Sequence, residues 1–300
     1  EDLVFLRDPE NGDPISRPGS FDDPARFDAP NAQWDIGLVL GLIPGYIGNR
    51  LEAFLLYRGR WSSYRNDFPT TVFPDARGLF GTAILAGFGY DDLRDHMRGV
   101  RSGFAAEVSA EWAPGFLAYP VASVEYLRFN SAAQVFVPLL PADSPAARFF
   151  VPLFGARAAM DAAAGPVLPI FVLQSFGGRY GRRALAGEVR GYPDRAYDAS
   201  IKAYVNLELR VYGPALGPAR PVVFTFLDAG WYFGLDRSAS FGDASGVIAS
   251  AGAGAAVGLW GAFRAGFYAG VLLPGYDRLF PIYVPGGEKS FASVMFIRHF

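Results

Sequence analysis

The chain has 300 residues, a formal net charge of −2, 19% charged and 16% aromatic residues, 36 glycines, 23 prolines and no cysteine. At 51% hydrophobic residues it is too apolar for disorder, and so poor in charge for a soluble enzyme of this length that a membrane protein is the better reading. The near-neutral balance, with no block of like charges, argues against a nucleic-acid partner, and the lack of cysteine excludes thiolate metal sites, cysteine nucleophiles and disulfides.

Residues 1–33 are rich in Pro, Gly and Asp, show no apolar period and are expected to form an irregular N-terminal extension. From Trp34 to the end, residues 34–300, short alternating segments recur between turn residues, the rhythm of a transmembrane antiparallel β-barrel. Strands are expected at 34–43, 50–58, 78–90, 101–112, 118–129, 133–140, 147–161, 200–212, 221–232, 246–260, 262–274 and 290–300. That all-β reading gives about twelve strands, an even number as single-chain bacterial barrels require, with fourteen to sixteen as the wider range.

The clearest alternation runs from Ile201 to Tyr212. Ile201, Ala203, Val205, Leu207, Leu209 and Val211 share one face, and Lys202, Tyr204, Asn206, Glu208, Arg210 and Tyr212 the other. Phe104 to Trp112 and Phe263 to Val271 repeat the scheme, one face suited to hydrocarbon and one to a wet interior. Ala244 to Phe263 is uncharged and superficially fits a lone membrane helix, but it is mostly Ala and Gly. As a strand, its Gly252, Gly254 and Gly258 would ease curvature. With a periplasmic N-terminus, the connections at 91–100, 162–199, 233–245 and 275–289 become extracellular, and Ala113–Gly115 and the turn near Gly261 periplasmic. Residues 59–77 then stand out as a long periplasmic turn, unless the second strand continues through Tyr64 or a hairpin is hidden there.

Enzyme signals fail. The two histidines, His96 and His299, fall in a loop and beside the terminus, and no GxSxG, Walker A or HExxH motif occurs. No catalytic residue, cofactor or metal site is expected; Asp91, Asp92, Asp95 and His96 read as a solvated loop. Trp34, Trp112, Trp231 and Tyr268 are expected in interfacial aromatic girdles.

One ordered set of motifs remains. Phe176 to Tyr192 reads FGGRYGRRALAGEVRGY, Glu208 lies in VNLELR, and Phe226, Asp228 and Gly230 lie in FTFLDAGW. From Gly177 to Phe300 this order resembles the Omp85 superfamily, the BamA/TamA-like barrels that insert or move proteins and lipids. Members carry Gly-Gly and then Arg-Gly-Phe/Tyr at the tip of a long extracellular loop folded into the barrel, followed by a strand with a Glu and one reading Phe-x-Asp-x-Gly. The resemblance implies that residues 162–199 enter the lumen with Arg190, Gly191 and Tyr192 at the tip, and that Arg190 bridges Asp228 with Glu208 nearby. Strand parity turns Phe226, Asp228 and Gly230 to the lumen together, and the planar Arg fork suits carboxylates. Phe300, with Phe296 four residues earlier, resembles the C-terminal signal of such barrels, although Arg298 stands where an aromatic is common. The implied function is insertion or translocation of proteins or lipids at the bacterial outer membrane. The implied partners are outer-membrane lipid and a client polypeptide or lipid, with a homo-oligomer as an option. The alternative is a structural or passive-pore barrel, since the residues before Trp34 leave no room for the periplasmic POTRA domains that precede the barrel in the family.

Overall fold

The structure is a computed structural model that describes residues 3–5, 26–28, 31–45, 49–63, 78–95, 101–120, 124–141, 144–179, 184–192, 199–233, 245–259, 263–273 and 290–298. Inside the segment expected to be irregular, β1 (Leu3–Phe5) pairs with β2 (Arg26–Asp28). The main sheet takes its strands in chain order: β3 (Asn31–Pro44), β4 (Asn49–Ser63), β5 (Gly78–Asp91), β7 (Arg101–Ala113), β8 (Glu125–Pro138), β9 (Val151–Val167), β10 (Ile201–Tyr212), β11 (Ala219–Phe233), β12 (Ser245–Leu259), β13 (Phe263–Leu273) and β14 (Ser290–Arg298). The short β6 (Arg94–Asp95) adds to β7. Every pairing is antiparallel, and among the described residues no ladder joins β3 to β14. No helix of the described residues is long and apolar enough to cross a membrane, and Ala244–Phe263 holds strand β12.

The expected twelve strands are therefore eleven in the main sheet among the described residues, because 118–129 and 133–140 are one strand, Glu125–Pro138. Asn130 and Ser131 read as turn formers, yet both are laddered on two sides, Asn130 opposite Ser109 and Asp161, Ser131 opposite Val108 and Met160. Asn130 turns inward and donates to Asp161 Oδ2 at 3.2 Å, so its polarity serves the interior and not a bend. The turn lies earlier, at the 3₁₀ segment Gly115–Leu117, where Phe80 and Tyr119 exchange backbone hydrogen bonds of 2.9 and 2.7 Å.

Removing one strand inverts the sidedness of everything before it. The connections at 64–77 and 114–124 join those at 168–200, 234–244 and 274–289 on one rim, and 92–100 moves to the other with 45–48, 139–150, 213–218 and 260–262. The anomalous connection thus disappears: β4 continues to Ser63, and the connection after it leaves from the long-loop rim. Contrary to expectation, β3 also enters from that rim, opposite the one where β14 ends. The long loop begins after Val167 rather than at residue 162.

Side chains are arranged as the inverse of a soluble protein. Ile36, Leu38 and Val294 stand outward at 69%, 76% and 85% exposure, while Arg58, Glu111, Arg128, Asp161, Lys202 and Asp228 are buried inside. An apolar outer surface over laddered backbone is what hydrocarbon demands. Trp34, Trp112 and Trp231 lie on this exposed face. Tyr268 does not: it packs inside, edge-on to Phe226 at 5.9 Å and to Phe291 at 6.2 Å. Gly252 and Gly254 make room for this interior, since a Cβ there would strike the Phe226 and Phe224 rings.

Candidate functional site

The described residues of the connection between β9 and β10 include two short helices, α1 (Ile170–Leu173) and α2 (Leu185–Glu188), and pack against the inner face of the sheet. Its stem is held by a fully buried cluster. Asp161 of β9 accepts from Arg128 Nε of β8 at 3.0 Å and faces Lys202 Nζ of β10 at 3.4 Å. Lys202 also donates to Val172 O and Ala199 O at 3.0 and 3.1 Å, tying the outgoing stem to the returning one. Arg128 donates to Ser175 O and to Val172 O. Three charged groups with no solvent exposure are tolerable because each meets an opposite charge or a carbonyl.

The Gly-Gly pair comes next along the loop. The Gly177 amide donates to Asp161 Oδ2 at 2.6 Å, and a Cβ at Gly177 would sit 2.9 Å from Arg128 Nε, so this close approach requires glycine. The Gly178 carbonyl accepts from Arg58 Nη2 of β4 at 3.0 Å, and Arg58 also pairs with Asp35 and Glu111. Arg179 donates its amide to Glu107 Oε1 at 2.8 Å and ion-pairs with Glu52. The loop is thereby fastened to β4 and β7, beyond β8 from its own strands.

At α2 the chain packs Leu185 and Val189 into a core with Phe176, Tyr204, Tyr232 and Ile248. A Cβ on Gly230 would lie 2.9 Å from Leu185 and 3.0 Å from Val189, so the absent side chain at Gly230 is what seats the helix. Arg190 then reaches the wall. Its Nε and Nη2 bind Asp228 Oδ2 and Oδ1 at 2.6 and 2.8 Å, its amide adds a third bond at 3.2 Å, and Nη2 lies 2.8 Å from Glu208 Oε1. The guanidinium lies over the Phe226 ring, 3.8 Å from its centroid. Asn206 donates to Asp228 Oδ1 at 2.9 Å and to Glu188 O at 2.7 Å, orienting the carboxylate and anchoring the end of α2. Burial works against the charge on Arg190, but the hydrogen-bonded Asp228 and the adjacent Glu208 more than offset it, so its pKa is raised and it stays a cation. Gly191 adopts φ +93°, and a Cβ there would meet Phe291 of β14 and Leu272. Tyr192 exchanges hydrogen bonds with the Ala249 backbone of β12 at 3.2 and 3.3 Å.

The structure thus brings Arg190, Gly191, Tyr192, Glu208, Phe226, Asp228 and Gly230 into one site. Phe296 is elsewhere, exposed on β14 and 6.0 Å from Phe263, and Phe300 lies outside the described residues. The stem cluster of Arg128, Asp161 and Lys202 escaped the sequence reading. Its signal was faint: a charge on the polar-face parity of each of three strands distant in sequence. Among the described residues no cluster could hold a metal ion, and Asp92 instead pairs with Arg50 and Arg94.

A sheet with eleven antiparallel strands among the described residues, apolar outside and charged inside, with a loop clasped to its inner wall, is the architecture of an outer-membrane-type β-barrel. No family model and no curated protein matches the chain by sequence. Among solved structures, CdiB from Escherichia coli is similar with a TM-score of 0.57 and 17% identity over 90% of this chain and 46% of that one. BamA from Haemophilus ducreyi lacking POTRA domains 1–3 is similar with a TM-score of 0.50 and 16% identity over 90% and 55%. The chain spans about half the length of these structures, and its fold is similar to that of these two barrels.

Proposed function

We propose that this chain resides in the bacterial outer membrane and inserts or translocates polypeptide or lipid there. The observation that carries this reading is the clasped loop. A passive pore needs an open interior, whereas here one loop is tied to side chains of strands from β4 to β11 and to the backbone of β12, and packs against β14. The ends of the sheet support it as well. In β3 and β14 apolar residues face outward, with no ladder between the two strands among the described residues, and unpaired strand edges are templates for an incoming strand.

Photoreactive residues at Leu40 and Val294 test the reading in cells. Trapping of a client chain at both edges is the expected result. Products containing only this chain would refute it in favour of a structural or passive barrel.

A further inference from the structure

We propose that an apolar layer at the rim opposite the long loop closes the interior independently of that loop, so that polypeptide or lipid is handled at the sheet edges and not passed through the lumen. This rests on the reading above of a barrel that handles polypeptide or lipid. Inward residues of a membrane barrel are polar where water fills the lumen. At the level of Asp228 the wall follows that rule, with Asn206 and Arg157 in register beside it. Nearer the rim that carries 139–150 and 213–218 it does not. Phe136, Leu153, Tyr212, Val222 and Ala256 face inward from neighbouring strands, β8 to β12, and form one buried core with Ala147. Leu153 has 0% exposure and Val222 3%, against 85% for the outward Val294. Side chains lining open water would be exposed, so these are covered.

The cover comes from three places. Ala147 belongs to the 3₁₀ segment Pro145–Arg148, in the connection between β8 and β9. There Leu139 N still donates to Pro152 O at 2.9 Å, but Pro141 and Pro145 lack the N–H that a ladder needs. The chain turns instead on local bonds, Ser144 N to Pro141 O at 3.1 Å, Ala147 N to Ser144 O at 3.0 Å and Phe150 N to Ala146 O at 3.1 Å. With its backbone donors met locally, the segment can seat Ala147 against apolar side chains. Leu93, from the connection between β5 and β7, and Met295 of β14 pack on the same core. Beside Leu93, Asp92 is held to Arg50 of β4 at 2.5 Å, and its amide donates to Phe104 O of β7 at 2.9 Å. The β5–β7 connection and β14 lie far apart in the order of the sheet. Contacts from both with one core require that the core cross the interior.

This layer shares no residue with the cores that hold the long loop around Leu185 and Val172. Between them stands Arg157, which points inward over Phe136 and is nevertheless exposed, so the interior is hollow at that level. Two closures in series therefore separate it from the two rims. An apolar constriction excludes ions by dewetting, and a polypeptide backbone crossing it would lose its water without gaining partners.

Planar-bilayer conductance tests the layer. The full chain is expected to be silent, and so is a variant with residues 177–192 replaced by a Gly/Ser linker, because the rim layer remains. Replacing 141–150 by Asn-Gly as well, which closes the β8–β9 hairpin without Ala147, should make the barrel conduct. Heat-modifiable migration shows which variants are folded. Conduction by the full chain or by the loop-excised variant overturns the proposal, as does silence of the doubly shortened one. Should loop excision prevent folding, a single cysteine decides with the loop in place, since the chain has none of its own. A maleimide polymer should label Arg157→Cys faster in Ala147→Lys than in the otherwise native chain by about tenfold or more, ~1.4 kcal/mol of lost protection; equal rates overturn the proposal. Clients trapped at Leu40 and Val294 beside a conducting loop-excised barrel keep the insertion reading and remove the layer; a silent barrel that traps no client does the reverse.

Discussion

Removing the Arg190 side chain is the most informative perturbation of the clasp. In the wild-type chain Asp228 is completely buried and receives four donors: Arg190 Nε, Nη2 and amide, and Asn206 Nδ2. Arg190→Ala deletes the two charged donors and leaves the two neutral ones. Stranding one member of a buried pair typically costs ~3–5 kcal/mol. Because Asp228 keeps two bonds and the Arg190 side chain is 17% exposed, the lower end applies, about 3 kcal/mol; an exposed pair would cost below ~1 kcal/mol. Asp228→Ala leaves Arg190 on Glu208 alone and should cost a similar amount. Both variants delete one shared interaction, so the double variant should fall short of the sum by about 2 kcal/mol. Arg190→Lys keeps the charge but cannot grip Asp228 with two nitrogens while bridging to Glu208 and lying over Phe226, so it should recover less than half of the loss. Urea unfolding in detergent, read by heat-modifiable migration, gives the cycle, and limited proteolysis of residues 168–200 reports whether the loop has come away. Additivity within about 0.5 kcal/mol, or a loop as protected in Arg190→Ala as in the wild type, would refute the clasp as the loop's main anchor.

In the stem cluster, Asp161→Ala should destabilise more than Lys202→Met. The first leaves Arg128 and Lys202 buried without a carboxylate, the second keeps the Arg128–Asp161 pair and fills the space; reversal of that order in the same urea assay counts against the assignment. Gly230→Val should push α2 off the wall through Leu185 and Val189, costing about 1–3 kcal/mol as overpacking does and exposing the loop to protease; unchanged protection argues that α2 is not seated by that glycine. At the 92–100 turn, the hydrogen bond from Arg50 holds the Asp92 carboxyl below its ordinary 3.8, against partial desolvation and with help from Arg94. Its folded-state value is depressed, so its stabilisation is present above the unfolded value and is lost as pH falls through the folded one. NMR titration of the Asp92 carboxyl should find a value under 3.8 that returns towards normal in Arg50→Ala; an unmoved value would refute the pairing.

Which way each strand faces is written in the alternation of the chain. In Ile201–Tyr212 the period of two separates apolar from polar residues, and the structure turns the first to the outside and the second inward, because the pleat leaves no other choice once one side must meet hydrocarbon. The residues around Arg190 and Asp228 are picked out by the resemblance of their ordered motifs to the Omp85 superfamily, and strand parity adds that Phe226, Asp228 and Gly230 face the same way. Where strands begin and end was settled by pairing across the sheet. Asn130 and Ser131 have the local chemistry of a turn, and they stay extended because they are laddered to β7 and β9, partners distant in sequence. From that one fusion came the strand count and the rim to which each connection belongs. The stem cluster is equally non-local: Arg128, Asp161 and Lys202 are charges in three different strands, and their meaning appears when register sets them side by side beneath the loop that Lys202 ties at both stems.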